Sequence, residues 1–516
     1  MTRKPVDAIA FYDWRLAISY LLGYDIGSSS IKASLVESLT GSLVASSISP
    51  KIEMGMIVRK PGWAEQEPRT WWKNVVIATA EIRAKSGVNP SDIAAIGISY
   101  QMHGLVLVNK KREVLRPAII WCDGRAVGIG EKAAQKIGRK KCLKTILNYP
   151  GNFTASKLRW VMENEPGIYR KVFKFMLPGE YIAMLMTGEI TTTVPGLSEE
   201  MLWDYEKGCP ASILLDAYKI AKELIPEVRP TFSQQGELAD NAAEELGLKL
   251  GTPVTYRAGD QPNNALSLSV TEPGEVAATA GTSGVVFGIT DKKICDVKTR
   301  INTFVHVSHT EKKPRYGAMV CINGTGILNS WLKRNVAIGT SYDEMNREAS
   351  AVAPGSEGLS VLPYGNGAER TLQNHDPGCS LHGLNFNIHG RGHLFRAAQE
   401  GIVFAMRYGL NVMESLGMKI ETVRAGNTNM FLSPVFREAF VNTTSTLLEI
   451  YETDGSRGAA LGAGIGAGIY RNYKEAFSGL KRITTIEPDR KLSEKYREVY
   501  SLWNDILNRS AGRPCI

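Results

Sequence analysis

The chain has 516 residues, which is too long for a single hydrophobic core, so we expect two to four domains. An apolar share of 43%, a charged share of 22% and 50 glycines are typical of a soluble globular protein and exclude a disordered or fibrous chain. The net charge is +9, but the sequence contains no run of five like charges. Such a diffuse positive charge suits an anionic small molecule at least as well as nucleic acid, and it does not decide between these two kinds of partner.

The spacing of the cysteines and the lengths of the apolar runs indicate the cellular compartment of the protein. Seven cysteines are scattered and never form a Cys-x-x-Cys pair, which indicates buried thiols in a reducing compartment rather than a disulfide framework. Polar residues and glycines interrupt the charge-free runs 93–109 and 316–332, so neither reaches the roughly 18 apolar residues of a membrane-spanning helix. Asp7 and Asp13 interrupt any signal-peptide core in residues 1–20, which we interpret as a poorly ordered extension of a cytoplasmic protein.

The first predicted element is a strand hairpin over residues 20–38, YLLGYDIGSSSIKASLVES. An apolar run, a Gly/Ser turn and an alternating run are the pattern expected of two paired strands. Glycine lets the backbone approach a ligand, and successive N–H and hydroxyl groups in such a turn form an anion-binding concavity. Asp25, at the entrance of the turn, could hold Mg²⁺ through water. A plain hairpin turn is the alternative interpretation.

Helices and strands alternate after this hairpin. Pro68 at its start and Gly87 at its end delimit a predicted helix within EPRTWWKNVVIATAEIRAKSG. Short apolar strands are predicted at 92–100 and 116–123, with a turn at 109–113. Because strands then alternate with helices through most of the chain, the sequence predicts an α/β architecture.

Two further stretches place polar groups at predicted strand ends. Gln101, Met102 and His103 directly follow a strand, which is where an open α/β sheet usually places ligand contacts. A structural histidine is the alternative for His103. The turn AGTSG at 280–284 resembles DIGSS at 25–29, as expected if two similar lobes each present a backbone turn to one ligand.

The segment YRAGDQPNN contains one carboxylate, Asp260, between a glycine and a Gln-Pro pair. By itself a Gly-Asp pair is most often a turn, because Asp can hydrogen-bond the backbone two residues on. The glycines of 458–468, GAALGAGIGAG, lie in a predicted helix without the preceding strand or acidic partner of a dinucleotide fingerprint. Close packing of that helix against a sheet is the better interpretation.

A histidine-rich stretch follows, HDPGCSLHGLNFNIHGRGH, with His375, Cys379, His382, His389 and His393. Imidazole and thiolate suit zinc, but this spacing matches no compact ligand pattern. The Asp-Pro-Gly, Asn and Gly residues favour a loop instead.

Taken together, these segments resemble the FGGY family of carbohydrate kinases, and within it the xylulokinase branch, from about Leu21 to about Tyr470. The resemblance rests on the order of DIGSSSIK, KPGWAEQEPRTWW, SYQMHGLVLV, VLRPAIIWCDGR, GNFTASKLRWVMENEP, AGDQPNNA, AGTSGVVFG, LPYGNGAERT and HLFRAAQEGIVFAMR. It implies an α/β fold of two ribonuclease-H-like domains, of the actin/hexokinase type, with the active site in the interdomain cleft. The implied parts are an N-terminal extension at 1–20, an N-terminal domain at 21–257, a C-terminal domain at 258–487, and a helical segment at 488–516 that packs back on the N-terminal domain.

The resemblance also implies a reaction and residue roles. The reaction would be ATP-dependent, Mg²⁺-assisted phosphorylation of D-xylulose at O5, or of another ketopentose or polyol, by a cytoplasmic enzyme with no nucleic-acid or membrane partner. The family also makes a homodimer possible. A non-catalytic, actin-like nucleotide-binding module is the less favoured alternative, since it would not need a sugar pocket. The implied roles are Asp260 as general base; Met102, His103 and Gln261 as sugar contacts with Trp121 as a wall; Asp25 as the residue that organises Mg²⁺; Gly27, Ser28, Ser29, Ser30 and Lys32 at the transferring phosphate; and Gly281, Thr282, Gly326, Gly426 and Asn427 along the nucleotide.

Two positions depart from the pattern of the branch. Gln261 stands where Asn usually follows the catalytic Asp, and its extra methylene changes the reach of the amide by about 1.5 Å. The stretch RAGNTN at 424–429 replaces a more Gly-rich turn. The first departure concerns the identity of the sugar, and the second concerns the contacts to adenine.

Overall fold

The computed structural model describes residues 19–373 and 375–511. Its strands are β1 (Tyr20–Ile26), β2 (Ile31–Glu37), β3 (Leu43–Ser49), β4 (Glu65–Gln66), β5 (Ile93–Tyr100), β6 (Val106–Val108), β7 (Ala118–Ile119), β8 (Lys174–Met176), β9 (Thr191–Thr192), β10 (Trp203–Asp204), β11 (Cys209–Pro210), β12 (Glu227–Val228), β13 (Phe232–Glu237), β14 (Pro253–Gly259), β15 (Glu275–Ala280), β16 (Gly284–Thr290), β17 (Asn302–Val305), β18 (Tyr316–Ile322), β19 (Ser360–Pro363), β20 (Cys379–His382), β21 (Thr422–Gly426), β22 (Leu447–Tyr451) and β23 (Arg482–Ile486). Its α-helices are α1 (Pro68–Ser86), α2 (Val127–Ile137), α3 (Arg139–Ile146), α4 (Thr154–Asn164), α5 (Pro166–Tyr169), α6 (Pro178–Thr187), α7 (Val194–Glu199), α8 (Ser212–Tyr218), α9 (Asp240–Leu246), α10 (Asp260–Ser267), α11 (Gly326–Asn335), α12 (Tyr342–Ser350), α13 (Arg391–Ser415), α14 (Pro434–Thr444), α15 (Gly455–Gly466), α16 (Tyr473–Ala476) and α17 (Arg490–Ser510). The extension expected at 1–20 lies outside the described residues except for its last two.

Two large sheets organise the molecule into two lobes. The first sheet has the order β13-β14-β5-β1-β2-β3, and the second has the order β17-β18-β16-β15-β21-β22-β23. In the first, β1 pairs antiparallel with β2 and parallel with β5. In the second, β15 pairs antiparallel with β16 and parallel with β21. The same local pattern therefore occurs twice, as the two similar Gly/Ser/Thr turns in the sequence indicated.

Local sequence signals account well for the early elements. The predicted hairpin forms with Ile26 opposite Ile31. The predicted helix is α1, with Pro68 in its first turn and Gly87 at its C-cap in a left-handed conformation at φ 63°. The strand expected at 116–123 is reduced to Ala118–Ile119, because the residues that follow turn back on themselves.

Helix α15 packs directly on the first sheet, although in the chain it lies between β22 and β23 of the second sheet. A Cβ at Gly23 would overlap the carbonyl oxygen of Ser456, and one at Gly97 would overlap that of Ala459. The helix backbone therefore touches the strands β1 and β5, and larger residues on the sheet would force them apart. The sequence-based interpretation concerned the glycines of 458–468. Of these, Gly462 faces the Tyr256 ring and Gly466 faces the carbonyl oxygen of Thr255, both in β14, so close packing of the helix against the sheet is confirmed.

The C-terminal helix α17 does not return to the first lobe, so that expectation was wrong. Its side chains Tyr496, Trp503 and Leu507 are fully buried in one cluster with residues of the second sheet and of α13 and α14. Trp503 Nε1 also donates a 2.8 Å hydrogen bond to the carbonyl oxygen of Val361 in β19. The apolar face of α17 is therefore buried against the second lobe. The domain boundary between residues 257 and 258 stays a prediction.

In the part of the chain that the structure describes, no helix combines the length and the apolar character that crossing a bilayer requires.

Candidate active site

Three parallel strands of the first sheet end at one edge, and the predicted catalytic residues lie there. Tyr100, at the end of β5, is in register with Ile26 of β1 and with Gly259 of β14. Asp260 directly follows Gly259, and Asp25 precedes Ile26. Since the carboxyl ends of neighbouring parallel strands meet, this register brings the two carboxylates to the same edge although they are far apart in the sequence.

Asp260 is the first residue of α10, with Gly259 as its N-cap. Burial raises the pKa of its carboxyl group to about 7, and the negative charge of Asp25 adds to this effect. Hydrogen bonds from the side chain and backbone of Gln261 oppose the rise. A carboxylate with this pKa is close to balance between its two protonation states at neutral pH, which suits a general base.

Asp25 is held by neighbouring side chains. Ser99 Oγ donates a 3.0 Å hydrogen bond to Asp25 Oδ1, and Lys32 lies opposite Asp25 across the hairpin. The pKa of Asp25 is raised, mainly by burial; the positive charge of Lys32 opposes this rise and the negative charge of Asp454 adds to it. A Cβ at Gly455 would lie 2.6 Å from Asp25 Oδ2, so the first turn of α15 closes one side of this carboxylate.

Met102 and His103 form the turn after β5. His103 has a left-handed backbone at φ 61°, and its Nδ1 lies 3.1 Å from the backbone oxygen of Glu199. Burial and the charge of Lys157 lower the pKa of His103 to about 3, so the imidazole is neutral. With its proton on Nδ1 and donated to that carbonyl, Nε2 is left as a hydrogen-bond acceptor. Phe153 packs edge-on against the ring at 4.7 Å.

Trp121 lies in the loop after β7 and contacts the turn at 27–30. Its indole is 39% exposed, which is enough to serve as a wall toward the cleft. Its Nε1 donates a 3.3 Å hydrogen bond to Ser28 Oγ. The structure therefore brings the predicted sugar wall next to the predicted phosphate turn.

The loop that carries Trp121 is anchored by a network that the sequence analysis missed. Arg125 packs against two indole rings that also contact each other, 3.9 Å from the centre of Trp63 and 4.7 Å from that of Trp160. It also forms 2.7 Å ion pairs with Asp123 and Glu65. The only sequence signal was the presence of KPGWAEQE and WCDGR among the family-like segments, which gives no contact between them.

The turn at 27–30 has the geometry of an anion-binding loop. Gly27 N donates to the carbonyl oxygen of Ser30 at 3.1 Å, and Gln66 Nε2 donates to that of Ser28 at 2.7 Å. A Cβ at Gly27 would lie 2.9 Å from Ser30 O, so glycine permits the tight turn. Within the described residues, the amides of Ser28, Ser29 and Ser30 donate to no protein acceptor. They are therefore available to an anionic ligand.

On the second lobe, the turn at 281–282 is tied to the start of α11. Gly326 N donates a 2.7 Å hydrogen bond to the carbonyl oxygen of Gly281, and Thr325 Oγ1 donates to the same oxygen at 2.8 Å. Ile327 N lies 3.4 Å from the carbonyl oxygen of Thr282. Two segments predicted to line the nucleotide are thus in direct contact, at the N-terminus of a helix whose dipole favours anions.

The third predicted nucleotide segment lies beside them. Gly426 ends β21, and a Cβ at Gly281 would lie 3.4 Å from Asn429 Nδ2. The Asn427 side chain accepts a 2.7 Å hydrogen bond from Arg437 Nη2. This amide oxygen is therefore occupied within the protein, and Asn429 joins the candidate contacts.

The histidine-rich stretch has a structural role. His389 Nδ1 accepts a hydrogen bond from the amide of Asn385 at 2.9 Å, and His393 Nδ1 accepts one from Gly390 at 3.1 Å. Across the described residues, no three His, Cys, Asp or Glu side chains converge closely enough to bind a metal. The loop interpretation of the stretch holds only in part, because Cys379–His382 forms β20, paired with β19, and His393 lies in the first turn of α13. At the catalytic edge, an ion would also need water or substrate oxygens as ligands.

Comparison with known proteins bears on this arrangement. Residues 20–267 match the N-terminal domain of the FGGY family of carbohydrate kinases, and residues 276–469 match its C-terminal domain. The xylulose kinase of Bacillus subtilis is 28% identical over 96% of this chain and 97% of its own length. The L-xylulose/3-keto-L-gulonate kinase of Escherichia coli is 27% identical over the same shares.

A solved structure has the same fold. The crystal structure of xylulose kinase from Rhodospirillum rubrum superposes with a TM-score of 0.84 at 25% identity, covering 96% of this chain and all of that one. Both lobes are therefore shared in their relative arrangement. The expected two-domain α/β fold is confirmed.

Proposed function

Because the chain belongs to the FGGY family of carbohydrate kinases, we propose that it transfers the γ-phosphoryl group of ATP to O5 of D-xylulose. The products would be D-xylulose 5-phosphate and ADP. The proposal is supported most by one observation: Asp260, with a pKa of about 7, lies at the strand edge where the sugar-side turn and the phosphate-side turn meet.

In this mechanism Asp260 is the general base. A sugar hydroxyl is a poor nucleophile, so the carboxylate accepts its proton as the new bond to phosphorus forms, an effect of about 10²–10⁴ in rate. The phosphoryl group passes from the ATP oxygen to the sugar oxygen, and ADP leaves. Phosphoryl transfer otherwise depends on alignment and on neutralised charge.

The sugar is bound by the first lobe. His103 Nε2 accepts a hydrogen bond from a sugar hydroxyl, since Nδ1 is committed to the Glu199 carbonyl. Met102 and Trp121 provide apolar walls. Gln261 hydrogen-bonds Asp260, so its effect on the sugar includes an effect on the base itself.

The phosphates lie between the two turns. The amides of Ser28, Ser29 and Ser30 and the charge of Lys32 face the transferring group, while Gly281, Thr282 and Gly326 line the nucleotide. Asp25 and Asp260 supply carboxylate oxygens of the kind Mg²⁺ prefers, and the rise that the charge of Asp25 causes in the pKa of Asp260 fits a cation nearby. Asp25 would hold Mg²⁺ through water. The ion would supply charge neutralisation at the phosphates.

An ADP-release assay over a panel of pentuloses, polyols and hexoses tests the proposal. We expect the highest kcat/KM with D-xylulose. Release with another ketopentose or a polyol, but not with D-xylulose, would favour the alternative substrate class, for which Gln261 in place of the usual Asn is the specific reason. No sugar-dependent release with any compound would refute the proposed reaction.

A further inference from the structure

Lys157, on helix α4, is a lysine with no exposed surface. Its Nζ donates a 2.8 Å hydrogen bond to the backbone oxygen of His103 and a 3.0 Å hydrogen bond to that of Ile120. Among the residues described, no carboxylate lies within ion-pair distance of this ammonium group. The side chain is therefore committed to two backbone carbonyls.

These two carbonyls belong to the two loops that face the sugar. One is that of His103 itself, and the other immediately precedes Trp121. The two segments also meet at an antiparallel bridge, in which Leu105 N donates to Ile119 O at 2.9 Å and Ile119 N donates to Leu105 O at 3.2 Å. Lys157 adds the contact that joins the carbonyl of His103 itself to the one next to Trp121. With donor–acceptor distances of 2.8 and 3.0 Å, the two oxygens are held close together.

Helix α4 supports the same turn with two more contacts. Thr154 Oγ1 donates a 3.2 Å hydrogen bond to the carbonyl oxygen of Gly104, and the Phe153 ring packs on His103. Thr154 and Lys157 are three residues apart, so they share one face of the helix. That face lies behind the sugar loops.

The turn needs such support because its backbone is strained. His103 has φ 61°, a left-handed conformation that is unfavourable for a non-glycine residue and persists where the surroundings fix it. Burial lowers the pKa of Lys157 to about 7, and a neutral amine still has two N–H donors for the two carbonyls. A buried cationic group is costly, and an apolar side chain would serve packing alone at least as well.

We propose that Lys157 is a positioning residue for the sugar: it holds the His103 carbonyl and the Ile120 carbonyl together, and so fixes the imidazole and Trp121 on either side of the substrate. The inference rests on the proposed kinase function. Lys157 touches neither substrate nor nucleotide in this role, so its loss should weaken sugar binding selectively.

The test compares Lys157→Met with a matched control, Lys174→Met. Lys174 also bridges two carbonyls, those of Glu223 at 2.6 Å and Ile225 at 2.7 Å, but in a part of the first lobe away from the sugar loops. We expect Lys157→Met to raise KM for the sugar about ten- to a hundredfold, the loss of one or two well-placed hydrogen bonds. KM for ATP and sugar-independent ATP hydrolysis should not change. Lys174→Met should alter thermal stability without changing KM for the sugar.

A second variant and a spectroscopic measurement cover the case in which Lys157→Met does not fold. Lys157→Gln keeps N–H donors on a shorter side chain and should give a smaller rise in KM for the sugar. In wild-type protein with labelled lysine, sugar should shift the NMR signal of the Lys157 side chain and leave that of Lys174 in place.

The outcomes separate the two proposals. Suppose that the wild type shows sugar-dependent ADP release. If the Lys157 variants then have the wild-type KM for the sugar, or if sugar does not shift the NMR signal of Lys157, the positioning role is refuted and the kinase function stands. If the wild type releases no ADP with any sugar, both fail.

Discussion

At the scale of single residues, Asp260 is the position on which the chemistry depends. Asp260→Asn keeps the size of the side chain but removes the proton acceptor. We expect kcat to fall by about 10²-fold or more while the sugar still binds, because the loss is in proton transfer. Steady-state kinetics and equilibrium sugar binding measure the two effects separately. Normal turnover of this variant would show that another group is the base.

The pKa of Asp260 leads to a prediction for the pH dependence. A carboxyl group whose pKa is raised to about 7 is protonated and inactive as a base below that pH, and ionised and active above it. We therefore expect kcat/KM for the sugar, which reports the ionisation of the free enzyme, to rise with pH and to level off above about pH 7. His103, with its pKa near 3, stays neutral over this range and adds no second step. A profile that is already level from about pH 5 upward would contradict the raised pKa.

Gln261 supports a prediction about specificity. Gln261→Asn shortens the side chain by one methylene. Its amide hydrogen-bonds Asp260 and, in the proposed mechanism, contacts the sugar. We expect a change in the ratio of kcat/KM between D-xylulose and its epimers. If kcat/KM changes by the same factor for all sugars, Gln261 acts only through the base. If neither kcat/KM nor its ratio between sugars changes, Gln261 contributes neither to catalysis nor to the choice of sugar.

The sequence located the residues that directly follow strands, and it missed those that act through contacts across the fold. His103 was predictable because polar residues at a strand end stand out against an apolar run, whereas Asp260 by itself was interpreted as a turn and its role followed only from the resemblance to the family. Glu199, whose carbonyl oxygen sets the tautomer of His103, lies 96 positions further on and carries no local signal. Lys157 was visible only as part of a family-like segment. Its role depends on which carbonyls the fold brings to its ammonium group.

At the scale of elements, the contact of α15 with the first sheet tests how the lobe is held together. Gly97→Ala places a methyl group against the carbonyl of Ala459, and neither backbone can move without separating helix and sheet. We expect a loss of about 1–3 kcal/mol in the free energy of unfolding, measured with urea. Gly128→Ala is the control. Gly128 lies in α2 with nothing near the new methyl group, and there we expect a gain of about 0.5–1 kcal/mol. Equal effects of the two substitutions would refute the contact.

Predictions of elements succeeded where capping residues set the boundaries and failed where the partner of an element had to be known. Pro68 and Gly87 delimit α1 because each acts through its own backbone. The pattern of α17 shows an apolar face but not which lobe covers it. The contacts of Tyr496 and Trp503 with the second lobe are fixed only in three dimensions.

At the scale of the whole molecule, the proposed mechanism makes the two lobes complementary halves of one site. The sugar loops and the base follow strands of the first sheet, and the nucleotide turns follow strands of the second. We expect the lobes to approach each other when both ligands are present, since closure excludes water from the reacting phosphoryl group. Small-angle X-ray scattering should show a smaller radius of gyration with sugar and a non-hydrolysable ATP analogue than without ligands. An unchanged radius would argue for a site that is complete in the open form.

The packing of α15 also has a consequence for the order in which the protein is made. The strands β1 and β5 are translated early, yet the helix that covers one face of them begins only at Gly455. Ser34 hydrogen-bonds Ser456 across 422 positions of the chain. On the ribosome, the first lobe must therefore wait with an exposed apolar sheet while the second lobe is synthesised as far as β22. Such a nascent chain is a natural client for a chaperone during that interval.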